Sequence, residues 1–73
     1  ENMPELKWRE IVYIKKEFYA ECPFGGCYII EFVGLEFEVC FNFQFVARSS
    51  SLSHAKKAAN EDYKKRMRQM LGL

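Results

Sequence analysis

Three cysteines and a single histidine are the residues of this sequence best suited to bind a metal ion or to act as nucleophiles. Cys22 and Cys27 are separated by four residues, whereas the paired cysteines of a zinc knuckle are separated by two. His54 lies too far along the chain to complete a zinc site. We therefore expect free, buried or half-buried thiols, no bound metal and no cofactor.

The sequence contains no recognisable catalytic arrangement. His54 stands near a predicted helix start without an assigned Cys or Ser partner. Gly25-Gly26 is not followed by the Lys and the helix that complete a phosphate-binding loop. Catalytic carboxylate pairs need a sheltered cleft that separates their pKa values, and the glutamates here are predicted to lie on an open sheet face. We therefore expect a binding protein and not an enzyme.

Charge is segregated along the chain, although the formal net charge is only +1. No Lys or Arg occurs between Lys16 and Arg48, and five glutamates fall within that stretch. From Arg48 onward the basic residues outnumber the acidic ones. The pattern indicates one acidic and one basic surface, of which the acidic surface would attract a basic protein. Alternatively, the acidic surface has no partner and only keeps an exposed face of the sheet polar, so that the protein stays soluble.

The stretch from Tyr28 to Phe41 predicts a β-hairpin that presents these glutamates. β-Branched and aromatic residues fill it, and Gly34-Leu35 provides the turn. Because side chains alternate along a strand, folding at this turn separates an apolar face from a face where Glu31 opposes Glu38. The predicted pairs of the apolar face are Phe32 with Phe37, Ile30 with Val39, and Tyr28 with Phe41.

The preceding segment, residues 17–22, also alternates between apolar and acidic or aromatic residues. A four-residue loop would place Glu21 opposite Tyr28, on the apolar side. A five-residue loop keeps the glutamates on the other face, so we expect that register. It pairs Cys22 with Tyr28, Ala20 with Ile30, and Phe18 with Phe32.

The whole pattern predicts a single α+β domain over residues 1–73, an antiparallel meander of three to five strands with one C-terminal helix packed on one face. The strands are expected at about 8–14, 17–22, 28–33, 36–41 and 45–48, with a turn at Asn42-Phe43-Gln44. The helix is expected at about 51–71, with an apolar stripe formed by Leu52, Ala55, Ala59, Tyr63, Met67 and Met70. No apolar run reaches the roughly 18 residues of a membrane span, so we expect a soluble, intracellular protein.

The candidate partner-binding residues lie on the acidic face and at the turn after it. Phe43 is included because an aromatic residue at a turn tip is either folded over the core edge or an exposed contact residue. The expected partner is a protein with a basic surface, and the chain could also form a homodimer. The candidate residues are Glu17, Tyr19, Glu21, Glu31, Glu36, Glu38 and Phe43.

The segment from Ser50 to Ala59 resembles the serine-capped, Ala/Lys-rich helix that closes double-stranded RNA-binding domains. Those domains begin with an RNA-contacting helix, whereas residues 8–14 are β-prone here. Strands followed by a C-terminal helix are also similar to integrase-type DNA-binding modules, whose reading strands carry Arg and Lys where this chain has Glu. These resemblances imply an alternative function, a nucleic-acid-binding module that uses Lys56, Lys57, Lys64 and Arg68.

A third resemblance covers most of the chain. The early Trp8, the strand meander and the helix entry from Phe45 to Tyr63 resemble short proteins of bacterial phages and prophages. Some small phage proteins of this size are anti-CRISPR or other anti-defence inhibitors that act by stoichiometric binding. The resemblance implies a cytoplasmic inhibitor of a host protein, such as a nucleic-acid-binding component of a CRISPR-type defence.

Overall fold

The computed structural model describes residues 5–12 and 16–72, with Ile11, Val12 and Lys16 described by their backbone only. The elements are β1 (Arg9–Val12), β2 (Lys16–Glu21), β3 (Cys27–Val33), β4 (Glu36–Phe41), β5 (Gln44–Ser49) and α1 (Leu52–Leu71). The five strands form one antiparallel sheet in the order β1-β2-β3-β4-β5. Helix α1 packs against β3, β4 and β5, which confirms the predicted α+β fold class.

The β3–β4 hairpin has the predicted register. Tyr28 pairs with Phe41, Ile30 with Val39 and Phe32 with Phe37, while Glu31 and Glu38 oppose each other on the second face. The turn is made by Gly34, at a φ of 67°, and Leu35. A positive φ costs glycine no steric strain, so this residue sets the position of the turn and therefore the register of both strands.

The predicted register between β2 and β3 is wrong by two residues. Ala20 pairs with Tyr28, and Phe18 pairs with Ile30. The loop is tighter than expected, because Cys22 and Gly26 face each other across it: the Cys22 amide donates to the Gly26 carbonyl at 3.0 Å. A shift of two residues preserves side-chain alternation, so each residue stays on its predicted face.

The turn before β5 is also tighter than predicted. It contains two residues, Asn42 and Phe43. β5 begins at Gln44, a residue that the sequence pattern places in the turn. β5 has a register irregularity opposite Val39 and Cys40, so Val39 pairs with Ala47 and Cys40 pairs with Phe45. The extra residue is Val46, and it places Ala47 opposite Val39 on the core face and Arg48 opposite Glu38 on the other face. At the other end of the sheet, the predicted first strand, residues 8–14, begins at Arg9, and residues 13 and 14 lie outside the described residues.

Helix α1 begins after Ser51, whose hydroxyl accepts a hydrogen bond from the His54 amide at 3.4 Å, and ends at Gly72 in the left-handed conformation. Small residues at its start, Ala55 and Ala59, are fully buried and allow close approach to the sheet. The buried core consists of Leu6, Phe18, Ala20, Cys22, Tyr28, Ile30, Val39, Phe41, Ala55, Ala59 and Tyr63.

At each end of the interface between helix α1 and the sheet, one residue that was predicted to be buried is exposed. Met70 was expected in the apolar stripe but is 56% exposed, and Phe32 was expected beneath the helix but is 47% exposed. A 20-residue helix is about 30 Å long and spans more than the width of the sheet. At the beginning of the helix, Phe32 lines a shallow pocket together with Phe37 and Leu52 and is not covered by a helix residue. No helix among the described residues is long and apolar enough to cross a membrane.

A partly buried polar contact joins the centre of the sheet to the helix. The hydroxyl of Tyr28, a fully buried residue, donates to Asp62 Oδ2 at 2.5 Å. Arg66 Nε donates to the same oxygen at 2.6 Å, and its guanidinium carbon lies 4.2 Å from the centroid of the Phe41 ring. Burial raises the pKa of Tyr28, and the hydrogen bond to Asp62 raises it further, so the hydroxyl remains a donor.

Ile29 and Ile30 provide a matched test of which face of β3 is the core face. Ile30 is fully buried and Ile29 is half-buried on the opposite face. Replacing Ile30 by Ala should reduce the free energy of unfolding by about 2–5 kcal/mol, because it leaves a cavity in the core. Ile29→Ala should cost less than half as much, measured for both variants by urea denaturation. Equal losses would contradict the assigned faces.

Candidate functional site

The face of the sheet opposite α1, here called the open face, is not covered by any element among residues 5–12 and 16–72. Strand pairing aligns its side chains in two rows that run across the strands. The apolar row comprises Tyr19, Ile29, Cys40 and Phe45, which are successive partners on β2, β3, β4 and β5. The acidic row comprises Glu17, Glu31 and Glu38, followed by Arg48.

The structure places six of the seven predicted partner-binding residues on the open face. Glu21 and Glu36 lie on it outside the acidic row, opposite Cys27 and Val33 respectively. The strand pairing therefore brings together the residues Glu17, Tyr19, Glu21, Glu31, Glu36 and Glu38. The seventh residue, Phe43, lies at the β4–β5 turn.

Two arginines at opposite sides of the open face reduce its negative charge. Arg9 Nη2 lies 3.2 Å from Glu21 Oε1, and its guanidinium is stacked over the Tyr19 ring. Arg48 Nη2 lies 2.7 Å from Glu38 Oε2 and is stacked over the Phe45 ring. Five glutamates against two arginines among the described residues of this face still leave it acidic.

The open face also contains residues that the sequence-based site did not include. Ile29 and Cys40 follow from the hairpin alternation, which places them beside Glu31 and Glu38. Phe45 follows from the two-residue turn, which pairs it with Cys40, whereas the predicted three-residue turn would pair it with Phe41 on the core face. Arg9 reaches Glu21 from the neighbouring strand β1, and Arg48 faces Glu38 only because the irregularity in β5 shifts the register by one residue.

The thiols of Cys22 and Cys40 are held in their protonated form. Burial in the core raises the pKa of Cys22 to about 11. Burial also raises the pKa of Cys40, and the nearby carboxylates of Glu38 and Glu31 raise it further. Among the described residues no group of three or more His, Cys, Asp or Glu is placed to hold a metal ion.

Phe43 lies at the tip of the β4–β5 turn and is 86% exposed. Asn42 and Phe43 both have positive φ, 48° and 69°, as a two-residue type I′ turn requires. Asn tolerates this conformation, and its Oδ1 accepts a hydrogen bond from the Cys27 amide at 2.9 Å. A bulky aromatic residue is strained there, and with 86% of it exposed it gains little burial in return.

The basic residues of the alternative function lie on the other side of the sheet. Lys56, Lys57 and Lys64 line one groove between α1 and the segment before β1, and Arg68 is not among the residues that line it. The ammonium of Lys56 lies 5.2 Å from the centroid of the Phe18 ring, on the core face of β2. The two candidate surfaces are therefore separated by the thickness of the sheet.

Comparison with known proteins identifies no relative: no family profile matches the chain, and no similar curated protein or solved structure was found.

Replacing Phe43 by Gly should stabilise the isolated protein. The substitution removes the strain of a positive φ at the cost of a more flexible unfolded chain, for a net gain of about 0.5–1 kcal/mol. Thermal and urea denaturation of the two proteins give the comparison. A lower melting temperature for the Gly variant would show that the Phe43 side chain contributes to folding, and that it is not held there at a cost.

Cys22 should be protected from alkylation in the folded protein. Since the thiolate is the reactive form, a pKa of about 11 makes its alkylation at pH 8 on the order of a hundredfold slower than in denaturant, and the rate should rise about tenfold per pH unit. Iodoacetamide labelling followed by peptide mass spectrometry gives the rate. A similar rate in folded and denatured protein would contradict the buried placement of this thiol.

Proposed function

We propose that the protein is a small, non-enzymatic binding protein whose open face engages a basic surface of a protein partner. The observation that carries this proposal is an apolar row, Tyr19 to Phe45, that lies beside an acidic row on a sheet face that no described element covers. An exposed sheet face needs only polar residues to remain soluble. An apolar row at its centre is better accounted for by a partner that excludes water from it.

The two rows define what a partner must present. Neighbouring rows on one face of a strand are about 7 Å apart, and four strands span about 14 Å. A matching surface would place an apolar strip against Tyr19, Ile29 and Phe45, and Lys or Arg side chains against the glutamates. Such an arrangement resembles an interface with an apolar centre and a charged rim.

Electrostatics supports a basic partner in two ways. Glu31 and Glu38 are directly opposed, so two carboxylates concentrate negative charge in one place, and Arg48, which pairs with Glu38, offsets only part of the charge of the five glutamates of this face. The net negative charge of the open face would also accelerate encounter with a positively charged surface and repel nucleic acid. A groove of a host protein that normally binds nucleic acid has the required positive charge.

This chemistry agrees with the role of the phage and prophage proteins that the sequence resembles. In that role the protein would be a cytoplasmic inhibitor that occupies a basic groove of a bacterial host protein, such as a nucleic-acid-binding component of a CRISPR-type defence. Phe43 extends beyond the end of the sheet, where an exposed aromatic side chain could enter a pocket of the partner.

The test begins with capture of partners from a nuclease-treated bacterial lysate, followed by purification of the captured protein and titration by calorimetry. Glu17→Gln combined with Glu31→Gln should weaken binding by about tenfold or more, because two charge contacts with the partner are lost. The weakening should be larger at low salt than at high salt, since screening reduces these contacts.

The matched control is Lys57→Gln combined with Lys64→Gln, which changes two charges on the other side of the sheet. Its affinity for the same partner should remain within about twofold of the parent. An acidic captured protein would contradict the proposal. So would loss of binding in the lysine variant with full binding in the glutamate variant.

Phe43→Gly gives an independent measurement on the same partner. If Phe43 enters a pocket, the variant should bind about tenfold or more weakly while unfolding at a higher temperature, because loss of an aromatic contact and relief of backbone strain act on different equilibria. If the affinity of the variant for the partner is unchanged, Phe43 is not part of the proposed interface, which then consists of the open face alone.

A further inference from the structure

A groove of about 460 Å³ lies on the helix side of the sheet, away from the open face. One wall is the segment before β1, with Glu5, Leu6 and Trp8, and the other is α1. The buried Leu6 attaches this segment to the helix, because its amide donates to Asn60 Oδ1 at 3.0 Å. The helix contributes Ser53, Lys56, Lys57, Asn60, Glu61 and Lys64.

The charged residues of the groove are suited to a phosphate. Lys56, Lys57 and Lys64 lie within two to three turns of α1, and the rise of a helix spreads their Cα atoms over about 12 Å. Lysine is a common phosphate ligand that acts as a point charge. The hydroxyl of Ser53 adds a hydrogen-bonding group at the beginning of the same helix face.

Two carboxylates, Glu5 and Glu61, also line the groove. They would repel a polyanion such as a nucleic-acid duplex, and they are suited to accept hydrogen bonds from hydroxyl or amino groups. Ribose hydroxyls are held by a carboxylate in dinucleotide-binding sites. The combination of lysines with carboxylates therefore favours a ligand that has both a phosphate and a sugar.

Trp8 supplies the third feature, an aromatic ring at the wall of the groove. Trp8 is half-buried and is one of the residues that line the groove, where a base could pack on the indole ring. Its indole Nε1 is shielded from solvent and is therefore out of reach of a ligand in the groove, so the ring alone is available for contact.

From these features we propose that the groove binds a nucleotide, with the phosphate near the lysines and the ribose near the carboxylates. The volume of about 460 Å³ lies within the range of known small-molecule sites. The site uses none of the residues of the open face, so it is independent of the proposed protein partner.

Trp8 is the single tryptophan of the chain, so its fluorescence reports on the groove directly. Titration with AMP should give a saturable change in emission, excited at a wavelength that the base does not absorb, with a dissociation constant below about 1 mM. Inorganic phosphate and adenosine, each of which has only part of the ligand, should bind about tenfold or more weakly than AMP.

Lys56→Gln combined with Lys64→Gln should weaken AMP binding by about tenfold or more, because charge-assisted contacts to the phosphate are lost. Lys65→Gln is the matched control, since Lys65 is exposed on the same helix and is not among the residues that line the groove. Its affinity for AMP should stay within about twofold of the parent.

A ¹H–¹⁵N NMR titration of the parent accompanies the fluorescence titration, because binding could leave the fluorescence unchanged. Four results would overturn the proposal: no saturable change by either method up to about 5 mM AMP, NMR shifts confined to residues outside the groove, equal affinity for inorganic phosphate, or equal weakening by the Lys65 variant. Glu17→Gln with Glu31→Gln should leave AMP binding unchanged, which separates this site from the open face.

Discussion

The antiparallel pairing of β3 with β4 is the constraint on which the rest of the structure depends. Each of these strands has a face of core residues and a face of glutamates and half-buried residues, and a shift by one residue would exchange them. Such a shift would bury Glu31 and Glu38 beneath α1, at a cost that a chain of this size could not sustain. The register that forms the core therefore also forms the acidic row.

The contact between Tyr28 and Asp62 depends on the same register. Only when Tyr28 lies on the core face can its hydroxyl reach α1, where Asp62 accepts its hydrogen bond and Arg66 holds the carboxylate in place. Arg66 in turn lies over Phe41, the strand partner of Tyr28. Because a hydrogen bond requires a particular geometry, this group orients the helix on the sheet more closely than apolar packing of Ala55 and Ala59 alone could do.

Local sequence patterns predicted the strands, the helix and their faces well. They failed where backbone geometry determines the length of a loop or turn. Alternation and Gly34 were enough to predict the register of the central hairpin. The predicted register between β2 and β3 was wrong by two residues, because the length of the loop depends on a hydrogen bond between Cys22 and Gly26 that composition does not indicate. The turn at Asn42 was predicted in the right place but one residue too long, because Phe43 is an improbable residue for the positive φ that a two-residue turn requires.

The candidate site could be predicted only in part from the sequence, for a related reason. Alternation within β3 and β4 identified the glutamates, but the apolar row needs the pairing of four strands, including the two-residue turn that brings Phe45 to Cys40. Arg9 and Arg48 reach Glu21 and Glu38 through tertiary contacts between residues far apart in sequence. An acidic stretch of sequence therefore overstated the charge of the surface, because the fold supplies cations that the stretch lacks.

The sheet separates an acidic, partly apolar surface from a basic groove, and β2 contributes to both. Tyr19 and Glu17 of β2 lie on the open face, whereas Phe18 between them is buried and contacts Lys56 of the groove. A ligand on one side can influence the other only if it binds two arrangements of this strand differently, and any such effect must be reciprocal. Phe18 pairs with the fully buried Ile30 in the middle of the sheet, where a close-packed core has little room for a second arrangement. The fold therefore favours two surfaces that act independently, so charges lost from one should leave binding at the other intact.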